Sequence, residues 1–326
     1  MSSKTPETWE RDTLNRLAFA TLNEQRRTRR WRIFFVSLFF IYLFISYITL
    51  INPEWLQNIT EDQHATQKHT ALVEINGVIA ANADANADNI ISGLRKAFKD
   101  KNTKAVIIRI NSPGGSPVQS GYINDEIKRL RKKYPKIPLY AVATDLCASG
   151  GYYIAVAADK IYADKATIIG SIGVLMSGFG FVKAMEDLGI ERRLLTAGKN
   201  KGFLDPFSPA KQSDIEHVKV LLDDIHQQFI NQVKKGRKKS LDAKGQSHLM
   251  DNPELYTGLV WTGEKALELG LIDGLASSSY LAREVIKAKK IKDFTHKETY
   301  FDRFAERIGA TMANTISQEF NTTTLK

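Results

Sequence analysis

Three short stretches hold residue types that could carry out acyl-transfer chemistry. In "DLCASGGYYIA" (145–155), Ser149 stands between a small residue and two glycines, directly after an apolar run. In "NSPGG" (111–115), Gly114 and Gly115 also close an apolar run. In "TAGKNKGFLDPFSP" (196–209), Lys199 and Lys201 lie among glycine and apolar residues. A serine hydroxyl becomes a nucleophile only with a base in hydrogen-bond reach. Histidine is the usual base, yet the chain has none between His69 and His217, and His217 and His226 fall in a polar helical stretch. A Ser–Lys pair is the remaining route. Bringing an amine from about 10.4 to near 7 costs roughly 4–5 kcal/mol, which burial against apolar groups can supply. Spacing does not choose between the two lysines. The six histidines make no ligand spacing, so neither a metal nor a cofactor is expected. The single cysteine, Cys147, reads as a small core residue and excludes an intramolecular disulfide.

The elements that must position these residues alternate. "ALVEINGVI" is a strand closed by the turn signal Asn76-Gly77. "NIISGLRKAFKD" places Ile90, Leu94 and Phe98 at helical spacing. "AVIIRI" (105–110) is a β-branched strand, and the next stretch sets Ile123, Ile127 and Leu130 on one helical face. "PLYAVAT" (138–144), a helical piece over 149–157 and "KIYAD" (160–164) continue the pattern. "RLLTAG" (193–198) reads as another strand, 210–238 and 262–289 as helical, and "GLVWTG" (258–263) as extended. Within the last helical stretch, "GEKALELGLIDGL" reads as a helix ended by Gly270 and then a strand. Strands alternating with helices imply an α/β fold with a largely parallel sheet. Both glycine-rich loops then lie at carboxyl ends of strands, where such sheets bind ligands. Each also precedes a helix, whose first N–H groups are unpaired and suit a developing oxyanion.

The 326 residues have ordinary globular composition, 43% hydrophobic and 25% charged. The net charge of +10 gathers in three groups, at 26–32, 128–136 and 287–292. None of these is interleaved with aromatics as a single-strand surface would be, so no nucleic-acid partner is expected. Residues 33–51, "IFFVSLFFIYLFISYITLI", hold no charge. At about 1.5 Å per residue they span roughly 28 Å, close to a bilayer core. No small-x-small cleavage site follows, which favours an uncleaved anchor over a signal peptide. Arginines precede the run and acids follow it, which places the N-terminus in the cytoplasm and the rest outside. The chain thus divides into a cytoplasmic tail (1–32), an anchor (33–51), a linker (52–70), an α/β domain (71–290) and a C-terminal extension (291–326).

Taken together, "RINSPGGSPVQSGYI", "DLCASGGYYIAVAADKIYAD", "GSIGVLM", "TAGKNKGFLDPFSP" and "VWTGEKALELGLIDGL" resemble the bacterial signal peptide peptidase A family, in family order from about Leu72 to Leu275. The resemblance implies a crotonase-like, Clp-protease-like spiral α/β fold. It implies a membrane-anchored serine endopeptidase that cleaves remnant signal peptides on the periplasmic side of the inner membrane. Ser149 corresponds to the family nucleophile. Lys201, three residues after Gly198, corresponds to the base, leaving Lys199 as a solvent-facing neighbour. Gly114, Gly115 and Gly150 correspond to the oxyanion hole, and Ser171 to the hydroxyl that orients the lysine. Short relatives form an octameric ring in which the dyad is shared between subunits, so a homo-oligomer is expected. Other readings are a catalytically idle crotonase-like membrane assembly or binding module, a crotonase-like enzyme acting on acyl thioesters, and a related periplasmic peptidase with another substrate.

Overall fold

The computed structural model describes residues 26–47 and 67–297. The chain divides into two compact units, one of which is Gln67–Lys297. The described part of the other is a single helix, α1 (Arg26–Tyr47), whose aromatic and aliphatic side chains are exposed all round. It is long and apolar enough to cross a bilayer. Residues 48–51 of the apolar run, 52–66 of the linker and 298–326 of the extension lie outside the described residues.

In the second unit, strands β1 (His69–Asn76), β2 (Thr103–Ser112), β3 (Leu139–Ala148), β4 (Lys160–Ala163) and β5 (Ile168–Gly170) pair in parallel. The main path of the eight-stranded sheet runs β6-β5-β3-β2-β1-β8, with β6 (Val260–Thr262) antiparallel to β5. β7 (Gly274–Leu275) pairs with β4, and β8 (Ile291–Asp293) with β1. The sheet therefore takes in residues that the sequence pattern assigns to the C-terminal extension.

Alternation along β2 shows why both faces are covered. Val106, Ile108 and Ile110 join the main core, while Ala105 and Ile107 face a second cluster with Leu281, Ile286 and Ala288. Helices α2 (Ala87–Lys99) and α3 (Pro117–Lys133) close over the main core through Ile90, Leu94 and Phe98 and through Ile123, Ile127 and Leu130, all buried. This is the stripe that their spacing predicts. Asn86 and Ser116 start these helices by accepting from Asn89 N and Gln119 N.

β3 does the work of bringing the serine to the site. Its first half pairs with β4, Tyr140 opposite Lys160, and its second half with β5, Ala148 opposite Gly170. Between the halves the register against β2 slips, from Ile110–Ala143 to Ser112–Cys147. Such an irregularity bends the strand, and α4 (Gly150–Ala155) starts directly after it.

One expectation needs correction and another needs refining. Residues 193–198 form no strand; they are irregular, and Leu195 is 96% exposed. A β-branched or apolar run becomes a strand only where another strand supplies its hydrogen bonds, and among the described residues none does so here. The 262–289 stretch is helical only in short pieces, and it breaks where "GEKALELGLIDGL" predicts, at Gly270 before a strand. Gly270, at φ +73, ends α7 (Gly263–Glu268), and Leu271 N donates to Ala266 O as the chain turns toward β7.

The long helix α6 (Gln212–Asp242), which follows the short α5 (Val182–Asp187), is tied to the sheet by a buried ion pair. Arg237, 2% exposed, donates to both oxygens of Asp273 at 2.7 and 2.9 Å and to Gly270 O. Burial pushes the Asp273 carboxyl up, but the guanidinium, Ser240 Oγ and Ile161 N together hold it below its ordinary value of 3.8. Because the folded value is depressed, this stabilisation is present above 3.8 and is lost as pH falls through the folded value. Asp273→Ala leaves Arg237 buried and unpaired, and is expected to cost about 3–5 kcal/mol in urea unfolding. A loss below about 1 kcal/mol would show that α6 is not held by this pair.

Candidate active site

Ser149 occupies a backbone conformation that serine rarely adopts, φ +51 and ψ −122. Left-handed backbone at a non-glycine residue costs on the order of 1–3 kcal/mol and persists only where surroundings enforce it. Here Ser149 N donates to Gly170 O at 2.9 Å, and Tyr153 N, in α4, donates to Ser149 O at 2.9 Å. The sharp turn from β3 into α4 lifts the side chain into a cavity of about 540 Å³. On the neighbouring strand the same event repeats. Ser171 follows Gly170 at φ +52, held by a 2.7 Å bond from its N to Leu259 O, and lines the same cavity.

The "NSPGG" loop approaches from β2. Ser112 Oγ donates to Gly77 O and accepts from Gly114 N, which fixes the turn. A side chain on Gly114 would lie 2.6 Å from Gly150 N and 2.7 Å from Ser149 Cβ, so only glycine lets the two loops touch. Gly115, at φ +149, packs still more tightly, its Cβ position lying 2.1 Å from Ile79 O. Gly115 N and Gly150 N carry no hydrogen bond among the described residues. They line one cavity with Ser149, and the Gly115 amide lies 3.3 Å from where a Gly150 Cβ would be. Two free N–H groups beside a hydroxyl form the arrangement that a tetrahedral oxyanion needs.

The structure thus brings together Ser149, Gly114, Gly115, Gly150 and Ser171 but leaves Lys201 apart. Lys201 is exposed, its N donating to Gly198 O in a turn, and among the described residues no lysine lines the Ser149 cavity. Lys199 lines a different cavity of about 870 Å³, within 176–219. Among the described residues no histidine lines the serine cavity either; His226 Nε2 sits 3.1 Å from Ile172 O instead. Burial pushes the Cys147 thiol far up, so it stays protonated and takes no part as a nucleophile.

Sequence reasoning missed Ser120. Its hydroxyl is fully buried, has no partner, and would stand 2.5 Å from a Gly150 Cβ. The signal was present: Ser120 is a polar residue on the same helical stripe as Ile123 and Ile127. The rest of the wall is mixed: Tyr153, Val174, Leu175, Ile225 and Phe229 are its large apolar members, and Gln228 and Thr257 its polar ones.

Gly115→Ala sets a methyl group about 2.1 Å from Ile79 O and must displace the amide. A loss of about 10²–10³ in kcat is expected, the usual cost of one oxyanion donor. Gly245→Ala, also left-handed in backbone but with open space around it, is expected to leave kcat unchanged.

Residues 131–292 match Peptidase family S49. The chain is 47% identical over 200 residues to a Na(+)/H(+) antiporter NhaA of Brucella melitensis, covering 61% of this chain and 26% of that one. It spans about a quarter of the length of that antiporter and of its Brucella abortus counterpart. A putative protease of Synechocystis is 32% identical over 216 residues, 65% of this chain and 72% of its own. A putative signal peptide peptidase SppA of Enterococcus faecium is 31% identical over 244 residues, 72% of this chain and 68% of that one. A relative this similar, matched over more than two thirds of its length, places the chain in peptidase family S49.

Proposed function

We propose that this chain is a membrane-anchored serine endopeptidase that cleaves short apolar peptides, such as signal peptides left in the membrane after processing. The observation that carries this reading is the strained Ser149 turn, facing the free amides of Gly115 and Gly150 across one cavity. The wall of that cavity, with five large apolar side chains and no charged one among the described residues, favours apolar peptide segments over charged ones. The anchor α1, with its arginines on the cytoplasmic side, holds the catalytic unit on the outer face of the inner membrane.

Ser149 Oγ attacks the scissile carbonyl while the neutral amine of Lys201 takes its proton. The oxyanion is held by the Gly115 and Gly150 amides. The ammonium then protonates the leaving amine, and water, deprotonated by the same lysine, hydrolyses the acyl-enzyme. Ser171, beside Ser149, orients the amine. The lysine comes from a neighbouring copy. Two features support this: among the described residues the serine cavity has no lysine of its own, and the 174–211 segment that carries Lys201 exposes large apolar residues, Phe179 83% and Leu195 96%. Exposed apolar surface of this kind marks an interface. Head-to-tail pairing closes into a ring.

A fluorophosphonate probe tests the reading. Ser149 is expected to be labelled, and labelling is expected to rise with pH, because a general base acts only in its deprotonated form. Absence of labelling at any pH would leave a binding module. A rise centred near 6.5, the ordinary imidazole value, would instead identify a histidine base.

A further inference from the structure

Five arginines, Arg26, Arg27, Arg29, Arg30 and Arg32, crowd the first two turns of α1. All five are exposed, and none forms an ion pair or hydrogen bond among the described residues. The helix Arg26–Tyr47 holds no acidic residue to pair with them. At helical spacing Arg26, Arg29 and Arg30 stand on one side, with Arg27 and Arg32 on the two flanks. Trp31 sits among them, stacked on Phe35 with ring centroids 5.7 Å apart and edge-on to Phe34 at 5.8 Å. The uncharged run starts at Ile33, directly beyond.

Lysine is the commoner base in the chain, yet every basic residue of this collar is arginine. The two are not equivalent here. An ammonium is a strongly hydrated point charge, whereas a guanidinium offers a planar fork that matches two phosphate oxygens and sheds water more readily. The amphipathic indole marks the depth at which headgroups lie. A helix that crosses the bilayer would therefore hold its guanidinium groups at the level of lipid phosphates.

We propose that the arginines of α1 form a collar that binds the phosphates of anionic phospholipids and keeps a shell of these lipids around the anchor. The proposal rests on reading α1 as a membrane anchor. Each basic side chain at an anionic surface favours it by roughly fivefold, and the attraction weakens as salt screens it.

The test uses the full chain reconstituted in phosphatidylcholine vesicles that contain a minority of phosphatidylglycerol. Spin-labelled lipids report which headgroup lies next to the helix. Enrichment of phosphatidylglycerol over phosphatidylcholine by about threefold or more is expected at low salt, falling at high salt. Changing all five arginines to glutamine is expected to abolish it. Changing them to lysine, which keeps the charge, is expected to retain more enrichment than glutamine does. Equal enrichment in the wild type and the glutamine variant would overturn the proposal. Flotation with pure phosphatidylcholine vesicles separates the two readings. If the chain does not float, the anchor and the collar both fall; if it floats without headgroup preference, only the collar falls. Inorganic phosphate is expected not to displace the lipid shell, and displacement would indicate a free-anion site instead. Tighter binding of single-stranded RNA than of anionic vesicles, dependent on the same arginines, would also overturn it.

Discussion

Ser149→Ala and Lys201→Ala are each expected to lower kcat for a peptide substrate by about 10³–10⁶, while Lys199→Ala keeps most of the activity. Among the described residues the serine is the only hydroxyl in its cavity that sits on a strand-to-helix turn beside two free amides, so none of them can replace it. The two lysines are a sharper test. They lie two residues apart on one exposed segment, and neither touches the serine within a single copy. Lys199 faces the cavity formed by its own segment, whereas Lys201 does not line it. Loss of the base should act on kcat rather than KM, because the interaction exists only as the proton moves. An active Lys201→Ala with a dead Lys199→Ala would move the base by two residues and change which surface of the segment meets the serine. Circular dichroism on each variant separates loss of chemistry from loss of fold; both lysines are exposed, and neither substitution is expected to unfold the chain.

The second large effect is recovery. Mixing inactive Ser149→Ala with inactive Lys201→Ala, under conditions that allow subunits to exchange, is expected to restore part of the wild-type rate. In a mixed ring some interfaces pair an intact serine with an intact lysine, and only those turn over. With random mixing of equal amounts, about a quarter of the interfaces are intact, so recovery up to that fraction is expected in a closed cyclic assembly. Leu175, Phe179 and Leu195 are each more than four-fifths exposed in one copy, and their burial would favour such pairing. Surface of that kind is costly to leave in water at about 25 cal/mol per Å², and a second copy is the partner that would also complete the site. Zero recovery, with exchange demonstrated by mass spectrometry of differently tagged subunits, would place the dyad within one chain and require the 174–211 segment to fold back onto its own serine.

Much of this site was legible in the sequence because its signals are local. The period of Ile90, Leu94 and Phe98 fixes a buried face whatever the partner is, and β1 and β2 follow from short β-branched runs closed by asparagine, glycine or proline. The uncharged run that becomes most of α1 is equally local, since a bilayer asks only for length and apolarity. A small residue, a serine and two glycines after a strand were enough to mark Ser149 as a candidate nucleophile. What only tertiary structure decided depends on residues distant in sequence. The register slip between β2 and β3 carries Ala148 opposite Gly170, and this sets Ser171 beside Ser149. The closeness of Gly114 to Gly150, the orphaned hydroxyl of Ser120 and the Arg237–Asp273 pair arise from long-range packing that no local period encodes. Residues 193–198 show the same limit from the other side. Their composition suits a strand, but a strand is made by its neighbour's hydrogen bonds, and within the described residues of one copy that neighbour is missing.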